Sequence, residues 1–292
     1  MNSILDETFL KKLETLSLLA GSGLRGERIG RHRSYRRGNS LEFYDRREYQ
    51  QGDDFRYIDW SIYTRLKRTM VKMFHAEEEM TVHLFIDTSA SMGYGTPSKL
   101  QSAGRIAAAL AYIAVAKQDR VKIIPVTEIP HAAKSAGPAK GSVGPLFNFI
   151  ASLQSAGSTD LAASLQLYAQ GERYPGLAIV LSDLLSPAAV QEGLSALLFR
   201  GFEILLIQIL HPDEMRPPLT GSSRLVDMES GEQLSLEIDQ GEIAEYRRIL
   251  DSYSDEIGSY CIERGIEFIR TSSEVAMEDI IFEYLKRGIH LK

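Results

Sequence analysis

Apolar residues return along this chain in two rhythms. Short runs dominated by aliphatic side chains occupy residues 82–86, 121–126, 177–181, 203–210 and 266–270, and each predicts a β-strand. Between them, apolar positions recur at helical spacing over 98–117, 143–153, 161–169, 187–200, 243–264 and 275–287. Ser98 is a candidate N-cap for the first of these helices. Strands and helices taking turns in this way predict an α/β fold built on a doubly wound, mostly parallel sheet. Two further strands, 224–229 and 233–238 joined across Ser230-Gly231, interrupt the alternation and predict a β-hairpin inserted near 211–240. Upstream, Leu5, Phe9, Leu13 and Leu16 mark an amphipathic helix over 4–20, and residues 69–75 read as a strand. The expected organisation is therefore a core domain over 79–292 preceded by an N-terminal extension over 1–78.

The run at 82–86 carries the first candidate chemistry. It suits a central parallel strand covered on both faces, and it delivers Asp87, Ser89 and Ser91 into a loop ending at Gly93. In open α/β sheets, ligands sit beyond the carboxyl ends of such strands. D-x-S-x-S alone also fits an ordinary strand-to-helix turn. Two later elements add to it: Gly157-Ser158-Thr159-Asp160 sets Thr159 just before a helix, and Ile179-Val180-Leu181-Ser182-Asp183 ends a second buried strand in a carboxylate. Asp87, Ser89, Ser91, Thr159 and Asp183 form an all-oxygen set, the donor chemistry of Mg²⁺ or Mn²⁺ and not of zinc or copper. In these residues the chain resembles the von Willebrand factor A domain, a Rossmann-like fold, with its metal-ion-dependent adhesion site. The resemblance implies that the hydroxyls ligate the cation, the carboxylates act directly or through water, and a partner's acidic side chain completes the shell. With only Asp87 and Asp183 counted, the loaded site would be net neutral toward that side chain.

Bulk properties narrow the setting. Apolar content of 44% and charged content of 25% are those of a globular protein. The single cysteine, Cys261, excludes an intrachain disulfide and reads as a small buried hydrophobe. No apolar run approaches the roughly 20 residues that span a bilayer, and no signal-peptide pattern opens the chain, so the expected location is cytoplasmic. Residues 21–50 hold eight Arg against four acidic residues, while the whole chain stands at −6. The run Arg31-His32-Arg33-Ser34-Tyr35-Arg36-Arg37 could grip phosphates with Tyr35 stacked on a base. Without an accompanying nucleic-acid motif, a solvated surface or ion pairs with the acidic remainder is the preferred reading.

Residues 42–60 are dense in both charge and aromatics. Asp53, Asp54, Arg56, Asp59 and Trp60, together with Gly30-Arg31-His32-Arg33-Ser34 and the hairpin sequence Leu225-Val226-Asp227-Met228-Glu229-Ser230-Gly231-Glu232, resemble the prokaryotic family known as domain of unknown function 58. The carboxylates could form a second metal cluster or a catalytic pair. The favoured alternative is an ion-pair network between Arg46, Arg47, Arg56 and Arg65 and Asp45, Asp53, Asp54 and Asp59. The aromatics of the segment are expected to be buried, packing it on the core domain.

Three function classes compete. A metal-dependent, non-catalytic protein-binding module uses all five oxygen residues. A metal-dependent phosphohydrolase or phosphotransfer enzyme would use Asp87 as nucleophile. Phosphatases of that kind place a second Asp two residues on as general acid, and Ser89 stands there, a hydroxyl that cannot donate a proton near neutral pH as a raised-pKa carboxylic acid can. Nucleic-acid binding through the Arg-rich segment is the third. Neither a G-x-S-x-G elbow nor a G-x-x-x-x-G-K-[ST] loop is present, and the six histidines are scattered. His83, inside the central strand, reads as a core histidine. The family resemblance implies a partner as well, a MoxR-type AAA+ ATPase working with this chain in chaperone-like assembly or activation of other proteins.

Overall fold

A computed structural model describes residues 41–76, 80–127, 134–136, 143–185, 190–218 and 221–281. The predicted helix over 4–20, the Arg-rich run at 31–37, and residues 187–189 and 282–287 of two predicted helices lie outside them. The described residues fall into two compact units, 41–76 and 80–281.

In the smaller unit, strand β1 (Leu41–Glu48) pairs antiparallel with β2 (Met70–Ala76), and the register shifts between Phe43 and Asp45. Helix α1 (Trp60–Leu66) lies between them in sequence. Neither β1 nor α1 shows a clear apolar period, because charges interrupt the first and the second spans only two turns. Asp59 holds the unit together. Its carboxylate caps α1 by accepting from the Ser61 and Ile62 amides, accepts the Ser61 hydroxyl at 2.6 Å, and pairs with Arg46 Nε at 2.9 Å. These bonds, those from Ser61 and Arg46 foremost, hold its carboxyl well below the usual carboxylate range. Arg47 forks onto Asp53 at 2.6 and 2.8 Å, and Arg56 pairs with Asp54 at 2.6 and 3.0 Å, so Arg46, Arg47 and Arg56 of the expected network are each paired with one of its carboxylates. Within this unit Ile58 is buried, Tyr49 and Tyr57 are half-buried, and Phe55 and Trp60 are 67% and 60% exposed.

The larger unit is a sheet with helices on both faces. Strand β3 (Thr81–Asp87) leads through α2 (Lys99–Ala116) to β4 (Arg120–Val126), and the edge strand β5 (Lys134–Ala136) pairs with β4 antiparallel. Helices α3 (Val143–Ser152) and α4 (Leu161–Gly171) precede β6 (Leu177–Ser182). Then come α5 (Val190–Phe199), β7 (Glu203–Leu210) and the one-turn α6 (Pro212–Met215). The hairpin β8 (Gly221–Val226) and β9 (Gln233–Ile238) leads into α7 (Gln240–Glu263), β10 (Glu267–Ser272) and helical residues 277–281. The sheet order is β10-β7-β6-β3-β4-β5, with the first five strands parallel. This is the expected doubly wound, mostly parallel α/β sheet.

Alternation along the strands feeds two cores. Val82, Leu84 and Ile86, with Ile179, Leu181, Leu205 and Ile207, pack under α2 and α3; Phe85, Ala178, Val180, Ile204 and Leu206 pack under α4, α5 and the second half of α7. Helix α2 is buried almost all round, and its Ala103, Ala107, Ala108 and Ala111 let it lie close on the sheet. Ser98 caps it through a capping box with Gln101. The hairpin differs from everything else in the unit: nearly every residue of β8 and β9 is exposed. Its first strand ends at Val226, three residues before the predicted end, because Asp227 starts the turn by accepting from the Glu229 and Ser230 amides.

Candidate functional site

Strand β3 sits between β4 and β6, where the winding reverses direction, and this is where such sheets bind ligands. Asp87 is its last residue. The loop beyond is sewn to its neighbours by backbone bonds: Thr88 N to Val126 O at 3.2 Å, Ala156 N to Thr88 O at 2.9 Å, and Ala90 N to Gly157 O at 2.8 Å. Gly157, at φ 68°, takes a left-handed conformation that suits glycine and turns the chain toward Thr159. Asp160 then caps α4.

The consequence is convergence on Asp87. One carboxylate oxygen accepts the Ser89 amide at 2.9 Å and the Thr159 hydroxyl at 3.2 Å, and the other accepts the Ser182 hydroxyl at 2.6 Å. Ser89 Oγ lies 3.0 Å from Ser91 Oγ. Asp87, Ser89, Thr159, Ser182 and Asp183 are all buried. Burial is the largest influence on Asp87 and pushes its carboxyl pKa up, with the nearby Asp183 charge adding and the Ser182 and Ser89 bonds opposing.

Asp183 follows β6 and faces a different partner. Its Oδ2 accepts from Lys99 Nζ at 2.7 Å and its Oδ1 from the Leu185 amide at 3.1 Å. Lys99 is fully buried and also pairs with Glu214 of α6. Sequence reasoning missed Lys99, Ser182 and Glu214. A signal for the first existed, because a lysine at the first position of a helix opposes the helix dipole and needs a local reason. An open cavity of about 580 Å³ adjoins Ser91 and is walled by Tyr94, Ser158, Glu214 and the hairpin residues Val226 and Glu229. Burial raises the Glu229 carboxyl pKa, the nearby Ser91 side chain opposes, and the charges of Asp183 and Asp87 add to the rise. The count of two carboxylates is therefore incomplete: Glu214 and Glu229 stand at the same site, offset in part by Lys99.

These residues fit a hard divalent cation on the Asp87 side. A buried carboxylate that nearby charge disfavours is surrounded by three hydroxyls with lone pairs to give, and no nitrogen or sulfur donor competes. Among the described residues no group of three or more His, Cys, Asp or Glu is placed to hold a metal, so a cation here depends on the hydroxyls. Asp183, committed to Lys99, fits the outer part of such a shell. His83 does not belong to the site. It is buried in the strand, 2.8 Å from the Tyr168 hydroxyl, and burial lowers its pKa to about 4. Burial likewise pushes the Cys261 thiol up to about 11, that of a core residue. No helix among the described residues is long and apolar enough to cross a membrane.

Two mycobacterial proteins are similar to this chain over most of its length. "Uncharacterized protein Rv1480" of Mycobacterium tuberculosis is 29% identical over 239 residues, 80% of this chain and 75% of that protein, and "Uncharacterized protein Mb1516" of Mycobacterium bovis matches to the same extent. Among solved structures, the conserved hypothetical protein BatB from Bacteroides thetaiotaomicron aligns over 73% of this chain and 100% of its own, with 16% identity and a TM-score of 0.46. An aerotolerance-related membrane protein from Bacteroides fragilis aligns over 73% of this chain and 100% of its own, with 18% identity and a TM-score of 0.43. Likenesses this distant add nothing to the geometry above. The sequence model described as "Protein of unknown function DUF58" matches residues 45–252, and the chain belongs to that family.

Proposed function

We propose that this protein is a metal-dependent protein-binding module, in which Asp87, Ser89, Ser91 and Thr159 hold Mg²⁺ or Mn²⁺, with Asp183 supporting from the outer shell, and a partner's Asp or Glu joins the bound cation. The observation that carries the reading is the convergence of three hydroxyls and one buried carboxylate at the winding reversal of the sheet. A bound cation would supply positive charge at the mouth of the site, and the chain's own hydroxyls and Asp87 would hold it from the inner side. The reading is non-catalytic. Asp87 is buried and bonded on both oxygens, with Ser89 where a general acid would stand, which leaves an Asp87 nucleophile poorly placed. The partner that the family resemblance suggests is a MoxR-type AAA+ ATPase or its client.

The test is affinity capture from the native cell on immobilised protein. A partner should be retained in Mg²⁺, released by excess chelator, and lost with Ser89→Ala, which removes one ligand and adds no charge. A partner held equally by wild type and Ser89→Ala, with chelator and without, contradicts the proposal.

A further inference from the structure

The hairpin β8–β9 is inserted between α6 and α7 and exposes both strands along nearly their whole length. A two-stranded hairpin standing off a domain contributes little to its own stability. Its tip, however, is tightly built. Asp227 accepts from the Glu229 amide at 2.9 Å, the Ser230 amide at 2.6 Å and the Ser230 hydroxyl at 2.9 Å, and Gly231 closes the turn by donating to Asp227 O at 3.0 Å. This turn aims Glu229 at one place. Glu229 and Ser91 line the same cavity, which lies beside the oxygen cluster, and Glu229 forms the wall of it that the hairpin tip supplies. Ser91 is the less buried of the two loop serines, so the shared cavity falls on the outward side of the site.

Resting on the metal-centre reading, we propose that Glu229 is the chain's own ligand on the outward side of that centre, so that the hairpin tip covers the position a partner's carboxylate must take. Charge supports the exchange. Asp87, Asp183 and Glu214 against Lys99 and one divalent cation sum to zero, and a fourth carboxylate makes the site singly negative. A partner carboxylate arriving while Glu229 stays would meet excess negative charge; arriving as Glu229 leaves, it meets a neutral site. The exposed strands make that departure cheap, because little else is unpacked when the tip lifts.

The test is Mn²⁺ titration of the whole chain, followed by water-proton relaxation and by amide hydrogen exchange at residues 227–231. Glu229→Gln should bind Mn²⁺ about tenfold more weakly and carry one additional fast-exchanging water per ion. Mn²⁺ should slow exchange at the hairpin tip in wild type and not in Glu229→Gln. If Ser89→Ala or Asp87→Ala abolishes Mn²⁺ binding while Glu229→Gln matches wild type in affinity, water count and tip protection, the cis-ligand proposal is overturned and the metal centre stands. If Ser89→Ala and Asp87→Ala both bind Mn²⁺ as wild type does, the metal centre itself is wrong and the proposal goes with it.

Discussion

Lys99 holds two carboxylates from two different elements, Asp183 after β6 and Glu214 on α6, from a fully buried position. Removing it leaves both anions uncompensated, which for buried pairs costs about 3 to 5 kcal/mol. Lys99→Met should therefore lose a large share of the protein's stability in urea unfolding, and an unchanged midpoint would show that the ammonium is dispensable. His83 makes a different statement. Its folded pKa is about 4, below the ordinary 6.5, so above pH 6.5 it contributes no pH dependence. As pH falls from 6.5 toward 4 the unfolded chain takes the proton first, and stability should drop by about 3 kcal/mol. The slope should shrink in His83→Gln, measured as urea midpoints at several pH values. Residue-level chemistry was unevenly legible. Asp87, Ser89, Ser91 and Thr159 stand out because they follow apolar runs or precede a helix, and His83 because a histidine inside such a run has nowhere to go but the core. Lys99, Ser182, Glu214 and Glu229 look like ordinary surface residues until the fold brings distant elements together.

At the scale of elements, the strong periodicities correspond to real strands and helices. Strand β7 occupies the predicted span, β6 and α2 differ from it by a residue or so at an end, and α7 starts earlier because Asp239 caps it with a capping box. Strands β1 and β5 and helix α1 were illegible, being short or rich in charge. Burial along α7 is confined to Leu250, Ser254, Ile257 and Cys261, so its first turns, like the hairpin, project from the core. Replacing residues 221–238 by a short polar linker should lower the melting temperature by no more than a few degrees; loss of cooperative melting would show that the hairpin is structural. Ser98→Ala, by contrast, removes a capping box from the most buried helix and should cost about 1 kcal/mol.

The molecule as a whole combines a doubly wound sheet, with an oxygen cluster beyond its strand ends, with a second unit in which Arg46, Arg47 and Arg56 pair with Asp59, Asp53 and Asp54 and in which Phe55 and Trp60 are exposed. A net charge of −6 would repel an acidic partner at long range, so a local cation is what makes an acidic side chain a sensible target. Cation binding by the oxygen cluster is therefore the property on which recognition of an acidic partner depends. Calorimetric titration of Mg²⁺ into wild type and Ser89→Ala tests it most directly. Wild type should bind one ion per chain, and Ser89→Ala should bind it at least about tenfold more weakly, at an unchanged melting temperature. Equal binding by the two proteins, or none by wild type, would contradict cation binding by the cluster.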